Sequence, residues 1–311
     1  MIQIEHLTKK FGEHVAVDDI SFTVNDGEIV GFLGPNGAGK STTMNILTGF
    51  LSSTSGKAMV DGLDILENPM EVKQKIGFLP EMPPLYGEMT VKEYLGFIYD
   101  LKRCTLNKKK HIEEICEVTQ TTEVMNRMIK NLSKGYRQRV GIAGALIGNP
   151  KVIIFDEPTN GLDPKQITEI RSLIKSLGQD HTVILSTHII SEVKAVCDRI
   201  IIINNGRIAA DEKIDSLENA LKSNRKVMAT ISGPAKEVAN AISGIPGVVY
   251  SNVMSEDGDT CRILIESNRS IDTRKPLFNL LAEKHWPLLD VETLGVSIED
   301  IFISVVNDSE K

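Results

Sequence analysis

The apolar run Glu28 to Leu33 (EIVGFL) leads into Gly34-Pro35-Asn36-Gly37-Ala38-Gly39-Lys40-Ser41, and a helical run begins at Thr42. Strand, glycine-rich loop and helix in that order fit G-x-x-x-x-G-K-[ST]. Glycines let backbone N–H groups turn toward phosphate oxygens, and the helix N-terminus adds a partial positive charge. Lys40 would reach β- and γ-phosphates, and the Ser41 hydroxyl would bind Mg²⁺. The strand is apolar on both faces, as in a sheet covered by helices on both sides.

A second apolar strand, Val152 to Phe155, ends in two adjacent carboxylates, Asp156 and Glu157, followed by Pro158. Successive side chains at a strand end point different ways, so the two can hold different jobs. Asp156 is placed for the Mg²⁺ shell, and Glu157 is left to orient or deprotonate a water. Ser133 opens a helix within Leu132-Ser133-Lys134-Gly135-Tyr136, where a Ser-x-Gly start presents free N–H groups to an anion.

Strand and helix signals alternate through Val152–Phe155, Lys165–Ser176, Thr182–Ser186 and Ser191–Val196, the pattern of an α/β layer. Ile200–Asn204 and Arg207–Ala210, joined by Asn205-Gly206, read as a hairpin. Apolar spacing between Val91 and Leu132 predicts a helical insert: Ile112, Ile115, Cys116 and Thr119 form one stripe, and Val124, Met125, Met128, Ile129 and Leu132 the next. Beyond about residue 220 the order becomes βαββαβ, which suggests a small ferredoxin-like module. Its Trp286 and His285 are expected in packing. The 311 residues therefore divide into domains 1–220 and 221–311.

The net charge is −7, which gives whole-chain binding to nucleic acid phosphates no support; no nucleic acid partner is expected. Cys104, Cys116, Cys197 and Cys261 have no metal or redox spacing and suit a reduced cytoplasm. No apolar run approaches the ~20 residues that cross a bilayer, so a membrane role is expected to go through a partner chain.

Taken with their order along the chain, these motifs resemble those of the ATP-binding cassette (ABC) transporter ATPases over roughly residues 1–220. Gly34 to Ser41 correspond to the family's Walker A loop, Val152 to Asp156 to Walker B, and Leu132 to Tyr136 to the signature. Gly161-Leu162-Asp163-Pro164 resembles the D-loop, Ser186-Thr187-His188 carries the switch histidine, and Phe11 stands where the family stacks a ring on adenine. The resemblance implies an α/β P-loop NTPase fold, a mixed sheet core plus helical subdomain, joined to the C-terminal α+β module. It implies an Mg²⁺-dependent ATPase with Glu157 and His188 catalytic. Phe11, the loop residues Gly34, Pro35, Asn36, Gly37, Ala38, Gly39, Lys40 and Ser41, and the adjoining Thr42 would bind ATP. In a head-to-tail homodimer or heterodimer, Ser133 and Gly135 would contact the γ-phosphate from the opposite cassette and His188 would contact it in cis, with Asp163 among the nucleotide-binding residues.

Glu81 stands at the Q-loop position, where most members carry Gln; an anion there could ligate Mg²⁺ or a water. Together with LSKGY and the tail Ser297 to Phe302, it is similar to the branch serving type-2 export permeases. The implied partner is an integral-membrane permease on a separate chain, at the cytoplasmic face of the plasma membrane. Met82-Pro83-Pro84-Leu85-Tyr86 would meet its coupling helices or pack in the core. The basic residues Lys102, Arg103 and Lys108 to His111 read as a solvated helix start or a contact with lipid or permease. The alternative is a soluble ABC ATPase acting on the ribosome or nucleic acid. The single P-loop and absence of heptads speak for transport.

Overall fold

The computed structural model describes residues 1–216, 224–268 and 271–294; the tail motif Ser297 to Phe302 lies outside them. The chain divides into two compact units, Met1–Ile214 and the described residues from Asp215 onward.

In the first unit β1 (Ile2–Phe11) and β2 (His14–Val24) form an antiparallel hairpin extended by β4 (Ser55–Val60) and β5 (Leu63–Asp64). A second sheet runs β10 (Arg207–Lys213), β9 (Arg199–Asn204), β3 (Ile29–Leu33), β8 (Thr182–Thr187), β7 (Val152–Asp156), β6 (Ile76–Leu79). From β9 to β6 neighbouring strands are parallel, and β10 is the antiparallel edge. Every residue of β3, β7 and β8 is buried, which is why these strands read as unbroken apolar runs instead of alternating ones. Ile4, Phe22 and Val24 from one sheet and Val30, Phe32 and Ile154 from the other join Met44 and Leu47 of α1 (Lys40–Leu47) in one core.

Helix α1 starts at Lys40, two residues before the expected Thr42, because Gly39 is its N-cap in the left-handed region, φ 107°. A Cβ on Gly39 would lie 2.6 Å from the Ala16 carbonyl oxygen, so only glycine fits between loop and hairpin.

After α2 (Pro69–Lys75), which leads into β6, the helical insert contains α3 (Val91–Leu101), capped by a Thr90/Glu93 capping box, and α4 (Lys108–Val118), capped by Asn107. The second expected stripe is not a helix. Residues 122–124 and 129–131 are 3₁₀ turns, and the carbonyls of Met125 and Arg127 accept the N–H groups of Lys92 and Val91. Backbone spent on satisfying the open first turn of α3 cannot close its own helical ladder.

Helix α5 (Lys134–Leu146) is capped at its C-terminus by side chains from the insert. Lys102 Nζ donates to the carbonyls of Ile147 (2.8 Å) and Ala145 (3.3 Å), and burial pushes its pKa down to about 8. Lys102 therefore leaves the solvated basic stretch expected for it; Lys108 and Lys110 stay exposed, paired with Asp100 and Glu114. His111 is buried, and its Nε2 accepts the Gly148 N–H at 3.0 Å.

Burial holds the His111 pKa below 6.5, with Glu114 partly offsetting and Lys102 adding to the shift. A depressed folded-state value means that the unfolded chain binds the proton more readily. The His111 contribution to stability is thus complete above about 6.5 and is lost as pH falls through the folded value. The melting temperature should fall more steeply below that pH for the natural chain than for His111→Gln.

The second unit orders its strands β12 (Val248–Asp257), β13 (Thr260–Asn268), β11 (Asn224–Ser232), β14 (Leu288–Leu294), all antiparallel. With helices Ala235–Ser243 and Arg274–Glu283 as the crossovers, this is the expected ferredoxin-like arrangement. Trp286 packs against its core, whereas His285 is exposed and left-handed, φ 58°, where the chain turns out of the second helix. Among the described residues no helix is long and apolar enough to cross a membrane.

Candidate nucleotide site

The carboxyl ends of β3, β6, β7 and β8 lie at one edge of the sheet, where α/β folds place their ligands. A cleft of about 460 Å³ opens there, lined by Asn36, Gly37, Gly39, Lys40, Ser41 and Thr42 of the glycine-rich loop. Glu81, Glu157 and His188 close it from the other strand ends, and Phe11 stands at its rim, 48% exposed with Lys9 Nζ 5.1 Å from the ring centroid. Gly34 sits against the Ile203 carbonyl and Ala38 is buried, so these two shape the loop from behind.

No side chain caps the first turn of α1, which leaves its N–H groups directed at the cleft. Lys40 is 6% exposed, and its Nζ donates to the carbonyls of Gly34 (2.7 Å) and Pro35 (3.2 Å). Glu157 Oε1 lies 3.7 Å from the same ammonium. Burial lowers the lysine pKa, and Glu157 and Asp156 pull it partly back.

Glu157 is buried and left-handed, φ 48°, an uncommon state for a residue with a side chain. Its N–H donates to the Ser186 carbonyl, which turns the carboxylate away from the strand and toward His188, whose Nδ1 is 2.9 Å from both oxygens. Asp156 remains at the strand end, buried, and accepts the Ser186 hydroxyl at 2.7 Å. Glu81 is exposed and accepts from Asn160 Nδ2 at 2.8 Å.

The profile of the family described as ABC transporter matches residues 17–160. The bacitracin transport ATP-binding protein BcrA of Bacillus licheniformis is 32% identical over 309 residues, 98% of this chain and 97% of that protein. This chain belongs to the ABC transporter ATP-binding proteins. The linearmycin resistance ATP-binding protein LnrL of Bacillus subtilis is 33% identical over 98% of each chain. Among solved structures, a dimeric ATP-binding cassette in a post-hydrolysis state with ADP and Pi matches at TM-score 0.63 and 30% identity, covering 69% of this chain and 99% of that one. A nucleotide-free cassette matches at TM-score 0.64 and 29% identity, covering 71% and 94%. The protein is an ATP-hydrolysing subunit of an ABC transporter, in the drug-resistance branch.

The cassette keeps its signature residues out of the cleft. Ser133, Gly135 and Asp163 line a separate hollow with Tyr136, Arg139 and Gln166. Ser133 caps α5 by accepting the Tyr136 N–H, and Asp163 caps α6 (Pro164–Leu177) by accepting the Gln166 N–H. Asn160, which ties Glu81 to the turn after β7, had no motif of its own in the sequence. Its position three residues beyond Glu157 was the available clue.

Proposed function

We propose that two cassettes close head to tail on two ATP molecules beneath a separate membrane permease, and that hydrolysis reopens them to drive export. The observation that carries this reading is the split: a phosphate cleft bearing Lys40, Glu157 and His188, and a distinct hollow bearing Ser133 and Gly135. Each half lacks what the other holds, so a second copy completes the site, with Ser133 and Gly135 near the γ-phosphate and Asp163 beside them. ATP is then the contact that favours the closed state, and its loss releases it.

Phe11 would stack on the base, and the N–H groups from Asn36 to Thr42 and the Lys40 ammonium would hold the phosphates. Glu157 accepts a proton from the attacking water while His188 fixes its carboxylate. The donors for Mg²⁺ would be the Ser41 hydroxyl and the carboxylates of Asp156 and Glu81, an all-oxygen set of the kind this hard cation takes. When bound it would neutralise charge developing on the phosphates.

The cassette would work at the cytoplasmic face of the membrane, its 1–220 portion hydrolysing ATP and residues 221–311 forming an accessory module. Transport and resistance relatives do not favour the ribosome or nucleic acid alternative. Met82, Pro83 and Pro84 border an apolar hollow of about 530 Å³ with Phe50, Phe78 and Leu101, while Tyr86 packs on Tyr94 and Phe97; Met82 is 84% and Phe50 83% exposed. We assign this face to the permease, and Phe50→Glu with Met82→Glu should abolish co-purification with it while ATP hydrolysis by the free cassette persists.

Gly135→Asp tests the split. A side chain there meets only the flexible Gln166 amide, so the fold should survive, but a carboxylate would face the γ-phosphate. ATP affinity of the single chain should stay within about twofold, whereas ATP-induced dimerisation and hydrolysis are lost by a few kcal/mol of charge repulsion. A parallel loss of single-chain affinity would show that both regions serve one molecule.

A further inference from the structure

Glu192, in the first turn of α7 (Ile190–Val196), is 1% exposed. A carboxylate so placed needs partners, and three segments supply them. The Thr159 hydroxyl comes from the turn after β7, the Thr187 hydroxyl donates from the end of β8 at 2.8 Å, and Arg171 Nη2 approaches from α6 at 3.7 Å. Thr159 lies two residues beyond Glu157, and Thr187 immediately precedes His188.

The Thr187 hydroxyl has one proton and two carboxylates within reach: Glu192 at 2.8 Å and Glu157 at 3.5 Å. Its oxygen also accepts the Ile189 N–H at 3.1 Å, which fixes it between them. With the proton on the Glu192 side, Glu157 keeps a lone pair for water. With the proton on the Glu157 side, that lone pair is occupied by a charge-assisted bond.

We propose that Glu192 is a positioning residue for ATP hydrolysis, holding the Thr187 proton away from Glu157 and locking together the two segments that carry Glu157 and His188. The proposal rests on the reading of Glu157 as the group that takes the water's proton. None of Glu192, Thr159 and Thr187 lines the nucleotide cleft, so their effect reaches the reaction through Glu157 and His188.

Glu192→Gln keeps the volume but leaves one acceptor oxygen; Thr159 and Arg171 both meet the Oε1 side and hold that oxygen there, so the amide NH2 faces Thr187, whose proton turns to Glu157. Expected is a fall in kcat of about tenfold or more, the scale of a misplaced catalytic group, with the KM and Kd for ATP within about twofold and the nucleotide-free melting temperature little changed. In a Thr187→Val background the same substitution should cost much less, a coupling that a double-mutant cycle reads directly. Thr187→Val, which removes the proton that could occupy Glu157, should lower kcat far less than Glu192→Gln does, and Thr187→Ser, which keeps both the hydroxyl and Glu192 to hold it, should turn over like the natural chain; this pair tests the idea without altering the buried charge.

An unchanged kcat in Glu192→Gln, or strictly additive losses with Thr187→Val, would overturn the proposal. A Glu157→Gln control separates the two claims. If it is inactive, such results count against Glu192 alone; if it turns over normally, the reading of Glu157 fails and the proposal falls with it.

Discussion

Glu157→Gln should hydrolyse ATP at least a hundredfold more slowly than the natural cassette and accumulate as an ATP-bound dimer. The amide is isosteric, so the left-handed turn and the contact with His188 persist. What disappears is the capacity to accept a proton from water, a contribution of roughly 10²–10⁴ in rate. Binding of ATP does not need that capacity, and closure therefore outlasts its release. Size-exclusion chromatography with ATP and a phosphate-release assay read the two effects separately. Full turnover would remove Glu157 from its assigned place.

Lys40→Met should weaken ATP binding by at least tenfold while leaving the nucleotide-free fold intact. The ammonium is buried, with burial alone depressing its pKa, so a thioether of similar length relieves a desolvation cost. The counterpart losses are the donations to the Gly34 and Pro35 carbonyls and the Glu157 ion pair at 3.7 Å, the last too long for a strong hydrogen bond, and they offset the relieved desolvation. Toward phosphate the balance reverses: a charge-assisted bond of about 1.5–3 kcal/mol vanishes with nothing in its place. Calorimetric titration with ATP and thermal melting without it should show a large change in the first and a small one in the second. Equal loss in both would make Lys40 a structural residue.

Much of this architecture could be read from residue order. The buried strand before Gly34, the acid pair after Phe155 and the hairpin turn at Asn205-Gly206 are local signals, each complete within a few residues. The ferredoxin-like order of the last strands followed from their alternation with two helices. Contacts between distant segments were not legible. The stripe Val124 to Leu132 has helical spacing, but its carbonyls serve α3, some 35 residues upstream. Lys102 looked like a solvent-facing cation until Ala145 and Ile147 claimed it. The bond from Asn160 to Glu81 and the burial of Glu192 depend on which strand ends meet, and no pattern within either segment records that meeting.

Helix α5 has one end at the Ser133 hollow, while Gly141, Gly144 and Ala145 farther along it border the apolar hollow beside Met82. Its thirteen residues span about 20 Å at 1.5 Å per residue. Ser133 pins the first turn, and Lys102 and His111 pin the last. A rod clamped at both ends transmits displacement instead of absorbing it. Tilting one end by a given distance must therefore be answered at the other, and α5 is the stiff lever by which a partner pressing on the apolar hollow would set the approach of the signature to a neighbouring γ-phosphate.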